Sequence, residues 1–242
     1  MADRTGDGIS VATDDALLAA VHDEVIDYGV RRATATSIAK RAGVSRMTVY
    51  RRGGGVKQLV LDALSREFDT LLRQAFVEAT ASPGAAAARG TAAPGIPPAL
   101  RTASGTDAPG IPAVRDQLAA AVVVGVRALA GSTLVHALLR HDPELLVPYL
   151  VDRHGESQLA FVRYVTPVIA AGIADRSIRE GEPRLLATVL LHAMQGFVVS
   201  TDILRRDLDA ASLDAEVARL VHGYLRPDLP DLPDLPDLPE QR

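Results

Sequence analysis

Between Asp27 and Asp62 the chain carries eight basic residues and no acid: Arg31, Arg32, Lys40, Arg41, Arg46, Arg51, Arg52 and Lys57. This segment holds +8 in a 242-residue chain whose net charge is −4, leaving −12 for the remainder. A small basic patch on an otherwise acidic protein is the electrostatic footprint of a nucleic-acid site rather than of a generally adhesive surface. The order of residues within the patch is more specific than its charge. Residues 34–53 read TATSIAKRAGVSRMTVYRRG, with Ile38, Ala39, Ala42, Gly43, Val44 and Val49 at the spacing of a helix-turn-helix. Ala39 is small enough for two helices to cross closely, and Gly43 supplies the positive φ that a sharp turn requires. Val44 and Val49 are expected beneath the second helix.

Other chemistries find little support. The six histidines (His22, His136, His141, His154, His192 and His222) have no metal-ligand spacing, so no metal site is expected. No serine stands in a Gly-x-Ser-x-Gly context, and the glycines at 53–55 lack the Lys-Ser/Thr and preceding strand of a phosphate-binding loop. The chain has no cysteine, which removes disulfides, thiolate ligands and thiol nucleophiles. These absences predict a non-enzyme with no catalytic residue and no cofactor. The N-terminus is polar and lacks the apolar core of a secretory signal, and no apolar run reaches the ~20 residues of a membrane span. A cytoplasmic protein with no membrane partner is expected.

The elements that would position the patch are helical. Residues 1–13 read as a flexible arm, and Asp14 as the N-cap of a helix to Tyr28, closed by Gly29. Thr34 or Thr36 opens the next helix, Ser45 caps a third from Arg46 to about Arg52, and the glycines at 53–55 break it. A long helix follows over 56–80, with Leu59, Val60, Ala63, Leu64, Phe68, Leu71 and Leu72 at three- and four-residue steps. Residues 81–112 are rich in Pro, Gly and Ala and contain APGIP twice, predicting a flexible insertion. From Ala113 to Leu225 the pattern is helical again. Asp142-Pro143-Glu144 reads as a helix start with Asp142 as N-cap, Pro183 opens a strongly apolar helix, and Ser212 caps a last one. Asp-Leu-Pro recurs four times in 227–242, a composition that favours polyproline II and a solvated tail. No convincing period-2 segment exists, so the fold class is all-α. The expected domains are 14–61, a helix-turn-helix DNA-binding domain, and 62–226, a helical effector-binding and dimerisation domain.

The run TSIAKRAGVSRMTVYRR with its preceding amphipathic helix resembles the DNA-binding domain of the TetR family of bacterial repressors, over about residues 14–61. The resemblance implies a homodimer whose C-terminal helices pair as a four-helix bundle, and a cavity whose small-molecule effector releases a double-stranded DNA operator. It places the second helix of the motif in the major groove, with its N-terminal residues at base edges. Arg46 can then bond guanine O6 and N7 together, and Met47 can meet a thymine methyl. Thr48, Tyr50 and Arg51 fall at phosphate-holding positions, Ser45 at the helix cap, and Thr36 where the family sets a helix N-terminus against the backbone. The sequence departs from the family after Arg52. Gly53 stands where an aromatic residue is usual, and Val56 stands at the lysine position with Lys57 one place late. Those glycines favour an alternative, a helical dimeric binding module with a degenerate DNA-binding domain. For the effector, the polar candidates in apolar company are His136, Tyr149, Arg163, Tyr164, Thr188, His192 and Gln195.

Overall fold

The computed structural model describes residues 5–51, 54–81 and 113–227. The expected insertion beyond its first residue, the Asp-Leu-Pro tail beyond Pro227, and residues 52–53 lie outside the described residues. All regular structure among the described residues is helical, as the pattern predicts. The helices are α1 (Thr5–Tyr28), α2 (Ala35–Ala42), α3 (Arg46–Arg51), α4 (Gly55–Ala81), α5 (Val114–Ala130) and α6 (Thr133–His141). A 3-10 turn (Pro143–Leu145) leads to α7 (Val147–Val151), α8 (Glu156–Ala174), α9 (Pro183–Val199), α10 (Thr201–Asp207) and α11 (Ala210–Leu225).

Two apolar cores organise them. The N-terminal core gathers Leu17, Val21 and Val25 of α1, Ile38 and Ala39 of α2, Val49 of α3 and Leu59, Val60 and Ala63 of α4. Leu134 and Leu138 of α6 complete it, so a helix from the C-terminal half is part of the floor under the N-terminal one. The second core lies between α4, α5, α8, α9 and α11, around Phe76, Leu118, Val165, Ile169, Leu186, Leu190 and Val221. Helix α8 is long and apolar enough to cross a membrane by length and composition, contrary to the expectation that no run is. Its apolarity is that of a core helix, since Phe161, Val165, Val168 and Ile169 are buried against its neighbours.

Several ends differ from the sequence expectation, each for a definable reason. Helix α1 begins at Thr5, so Asp14 lies inside it and residues 5–13 are helix rather than arm. Asp209, not Ser212, caps α11: its Oδ1 accepts the Ser212 N–H at 2.8 Å. Asp142 caps nothing in its own turn. Its carboxylate is instead turned back to α1, where Oδ2 accepts the Val30 N–H at 3.0 Å.

Candidate nucleic-acid interface and effector cavity

The geometry of the helix-turn-helix follows from three local features. Thr34 caps α2 through a capping box, its Oγ1 accepting the Ser37 N–H at 3.1 Å while Ser37 Oγ accepts the Thr34 N–H at 3.1 Å. Gly43 ends α2 at φ 68°, where an L-residue is strained, and its N–H returns to Ala39 and Lys40 carbonyls. Ser45 starts α3, its Oγ accepting the Thr48 N–H at 3.1 Å. Val49 is 1% exposed and pins α3 to the core. The helical period then turns Arg46, Met47, Tyr50 and Arg51 to solvent, with Met47 69% and Tyr50 64% exposed. Apolar side chains held in water on a six-residue helix whose neighbours are arginines form an open contact face.

The seven cations of the patch among the described residues divide into two groups. Arg41 is fixed to α1 by Glu24 (3.1 Å) and Asp27 (2.7 Å), and its hydrogen bond to Asp27 raises its pKa. Arg31 is held by Asp142 (3.5 Å) and Glu144 (3.1 Å). The Glu144 carboxyl is held below the ordinary range by its own backbone N–H and then by Arg31. Arg32, Lys40, Arg46, Arg51 and Lys57 are exposed and form no ion pair among the described residues. Arg46 reaches across to Thr36, Nη1 to Oγ1 at 3.5 Å, bringing the starts of α2 and α3 together on one face. Thr36, Ser45, Arg46, Met47, Tyr50, Arg51 and Lys57 are all exposed, and Thr48 is half-buried with its hydroxyl 2.9 Å from that of Ser45. Gly54 and Gly55 both sit at positive φ (73° and 71°), and a Cβ on Gly54 would meet Gln58 at 2.4 Å. Gly54 and Gly55 thus hold a left-handed backbone, and Gly54 also a close approach, rather than simply loosening the chain.

Away from this face, a cavity of about 250 Å³ opens between α4, α5, α8 and α9. Tyr149 and Gln195 line it; His136 lines an adjoining cavity, with Nε2 2.7 Å from the Ala130 carbonyl. The other four effector candidates line neither one. Arg163 is exposed and paired with Glu156, and Thr188 donates to the Arg184 carbonyl of its own helix. Tyr164 packs on Phe76 at 4.8 Å in the core, where burial raises its pKa. His192 is exposed, 3.0 Å from His154. Polar lining residues that sequence reasoning missed are Gln58, Asp62 and Ser65 of α4 and Glu156, Ser157 and Gln158 of α8. Polar positions on an amphipathic helix read as solvated face, so no local signal marks them.

No family model matches the sequence. It is 29% identical over 209 residues to uncharacterized HTH-type transcriptional regulators of Mycobacterium bovis and Mycobacterium tuberculosis, covering 86% of this chain and 92% of each relative. Among solved structures, the repressor AlkX of Dietzia superposes with a TM-score of 0.57 at 16% identity, covering 86% of this chain and 92% of that one. FadR of Bacillus subtilis, in complex with stearoyl-CoA, gives 0.52 at 15%, covering 87% and 98%. QsdR of Rhodococcus erythropolis gives 0.55 at 14%, covering 88% and 96%. The chain therefore has the fold of the TetR family, and its sequence relatives are HTH-type transcriptional regulators.

Proposed function

We propose that the protein is a DNA-binding transcriptional repressor that a small-molecule effector releases from its operator. The outward face of α3 carries this reading: four exposed side chains, two of them arginines without an ion pair among the described residues, over a buried Val49. Arg46 lies at the helix N-terminus, the end that meets base edges, and its fork matches guanine O6 and N7. Thr36, Thr48, Tyr50, Arg51 and Lys57 surround it as phosphate partners that fix register. The effector enters the cavity between α4, α5, α8 and α9. AlkX and the FadR–stearoyl-CoA complex share this fold and support a ligand-responsive role.

The repressor acts as a homodimer. Leu185, Val189, His192, Gly196 and Val199 stand exposed on α9 at alternating steps of four and three, the spacing of a left-handed helical seam. Gly196 meets nothing within 4 Å, which allows a partner helix close approach. Phe197 of the same helix is half-buried against its own core and is not part of this seam. A dyad through this seam places two α3 helices on half-sites about 34–36 Å apart or a multiple of that.

Gel shifts at several salt concentrations, on DNA flanking the protein's own gene, test the reading. Arg46→Ala should weaken operator binding by about 1–3 kcal/mol and relax preference at one base pair. Arg51→Ala should weaken all sequences similarly and reduce the salt slope by about one. A wild-type chain that binds no DNA in low salt would favour the degenerate binding module, and unchanged base preference in Arg46→Ala would displace α3 from the groove.

A further inference from the structure

The cavity has a charge signature that narrows what can enter it. We infer that its ligand is uncharged, an apolar body with a neutral oxygen group, and not an anion such as a carboxylate or an acyl-CoA. This rests on reading the cavity as the effector site. Among the described residues, no lysine, arginine or histidine lines it. Its ionisable lining groups are tyrosine and two carboxylates, and both carboxylates are already engaged. Asp62 Oδ1 accepts from Gln58 Nε2 at 2.8 Å, and Glu156 Oε1 is 2.8 Å from Arg163 Nη2. Phe68, Leu72, Phe76, Val122, Leu191 and Met194 are among the apolar side chains that make up most of the remaining wall.

An anion entering this space would give up its hydration and find no lining cation in return, with the Asp62 carboxylate repelling it. In the adjoining cavity, His136 turns its Nε2 to the Ala130 carbonyl. The guanidinium of that cavity, Arg140, lies 3.4 Å from Asp202. A permanent cation would find Glu156 already neutralised by Arg163 and a single carboxylate, Asp62, whose Oδ1 is held by Gln58, too little to offset its lost hydration. Neutral hydrogen bonding is what remains. The hydroxyls of Ser65 and Ser157 both line the cavity and make no hydrogen bond among the described residues. A hydroxyl both donates and accepts, and so suits an alcohol, ketone or ester oxygen on an apolar frame. The shared fold with the stearoyl-CoA complex of FadR therefore does not carry its ligand over to this chain.

Isothermal titration of the full chain with three probes of one ten-carbon length tests this: decan-1-ol, decanoate and decyltrimethylammonium, at about pH 8 where the acid is ionised. Decan-1-ol should bind at least about tenfold more tightly than either ion. Asp62→Lys, which replaces a lining carboxylate by a cation, should raise decanoate affinity; Ser65→Lys is the second variant should the first not fold. Decanoate or decyltrimethylammonium binding as tightly as decan-1-ol overturns the inference while leaving the cavity an effector site. Failure of all three probes to bind overturns the effector-site reading itself, and unchanged decanoate affinity in folded lysine variants overturns the charge argument.

Discussion

Asp142→Ala should loosen the joint between the two halves of the molecule, and its cost can be worked from the geometry. The side chain is 4% exposed, Oδ2 accepts the Val30 N–H at 3.0 Å, and Oδ1 lies 3.5 Å from Arg31 Nε. Alanine removes the acceptor and leaves a buried backbone donor without a partner, a loss of about 1–3 kcal/mol. Arg31 is 76% exposed, so solvent screens its attraction and most of the effect belongs to the N–H bond. The expected loss is therefore about 2 kcal/mol, or roughly 4–8 °C in the unfolding midpoint of a chain this long. Asp142→Asn retains an acceptor at the same place and should lose less than half as much, while Arg31→Ala should be the mildest of the three. Thermal unfolding followed by far-ultraviolet circular dichroism ranks them, and hydrogen exchange at the Val30 amide localises the change. An Asp142→Ala protein within about 0.5 kcal/mol of wild type, or an Asn variant as damaged as the Ala one, would refute the assignment.

Val189→Asp places a charge in the proposed α9 seam without touching a buried residue, so light scattering should report monomer with helix content retained; an unchanged dimer would exclude that face. Gly172→Ala should destabilise by about 1–3 kcal/mol, because its Cβ would lie 2.4 Å from Ile178 Cδ1 and 3.2 Å from Ile178 Cβ in a packed site; urea unfolding measures it. Glu144 is held below the ordinary carboxylate range by its own N–H and Arg31, and Asp209 by the Ser212 N–H and hydroxyl. Both contribute stability above their unfolded values that is lost as pH falls through the folded ones. Acid unfolding should therefore be shallower in Glu144→Gln and Asp209→Asn than in wild type.

The helix-turn-helix was legible because each requirement is local. The turn needs positive φ, and Gly43 stands four residues after Ala39; the cap needs a hydroxyl, and Thr34 and Ser45 stand at the helix starts. The same logic reads Gly29 as the close of α1 and Pro183 as the first residue of α9. It fails where a distant group competes. Asp142-Pro143-Glu144 has the order of a capped helix, but a buried N–H 112 residues away takes the carboxylate. Asp209 displaces Ser212 because a carboxylate three residues earlier accepts the same N–H. The cavity was illegible for a further reason. Its walls take a few residues from each of several helices, and no single helix shows a pattern that marks them.

Helix α4 shows what that costs a one-dimensional reading. Its apolar residues look like one stripe from Leu59 to Leu72, but in three dimensions they serve two faces. Leu59, Val60 and Ala63 are buried in the N-terminal core with Val49 of α3. Leu61, Leu64, Phe68, Leu72 and Phe76 advance by three- and four-residue steps along the cavity wall. One helix is thus both a wall of the cavity and a support beneath the DNA-facing helix. In the proposed function, a ligand that displaces Phe68 and Leu72 acts on the same continuous helix that carries Leu59 and Val60. The core beneath α3 is close-packed, so it answers such a shift by moving α3 rather than by deforming. Leu134 and Leu138 join that core from α6, while Val135 and Leu139 of the same helix line the cavity. Two helices therefore connect the ligand's space to the recognition helix, and Asp142, immediately after α6, fixes the second of them to the turn after α1.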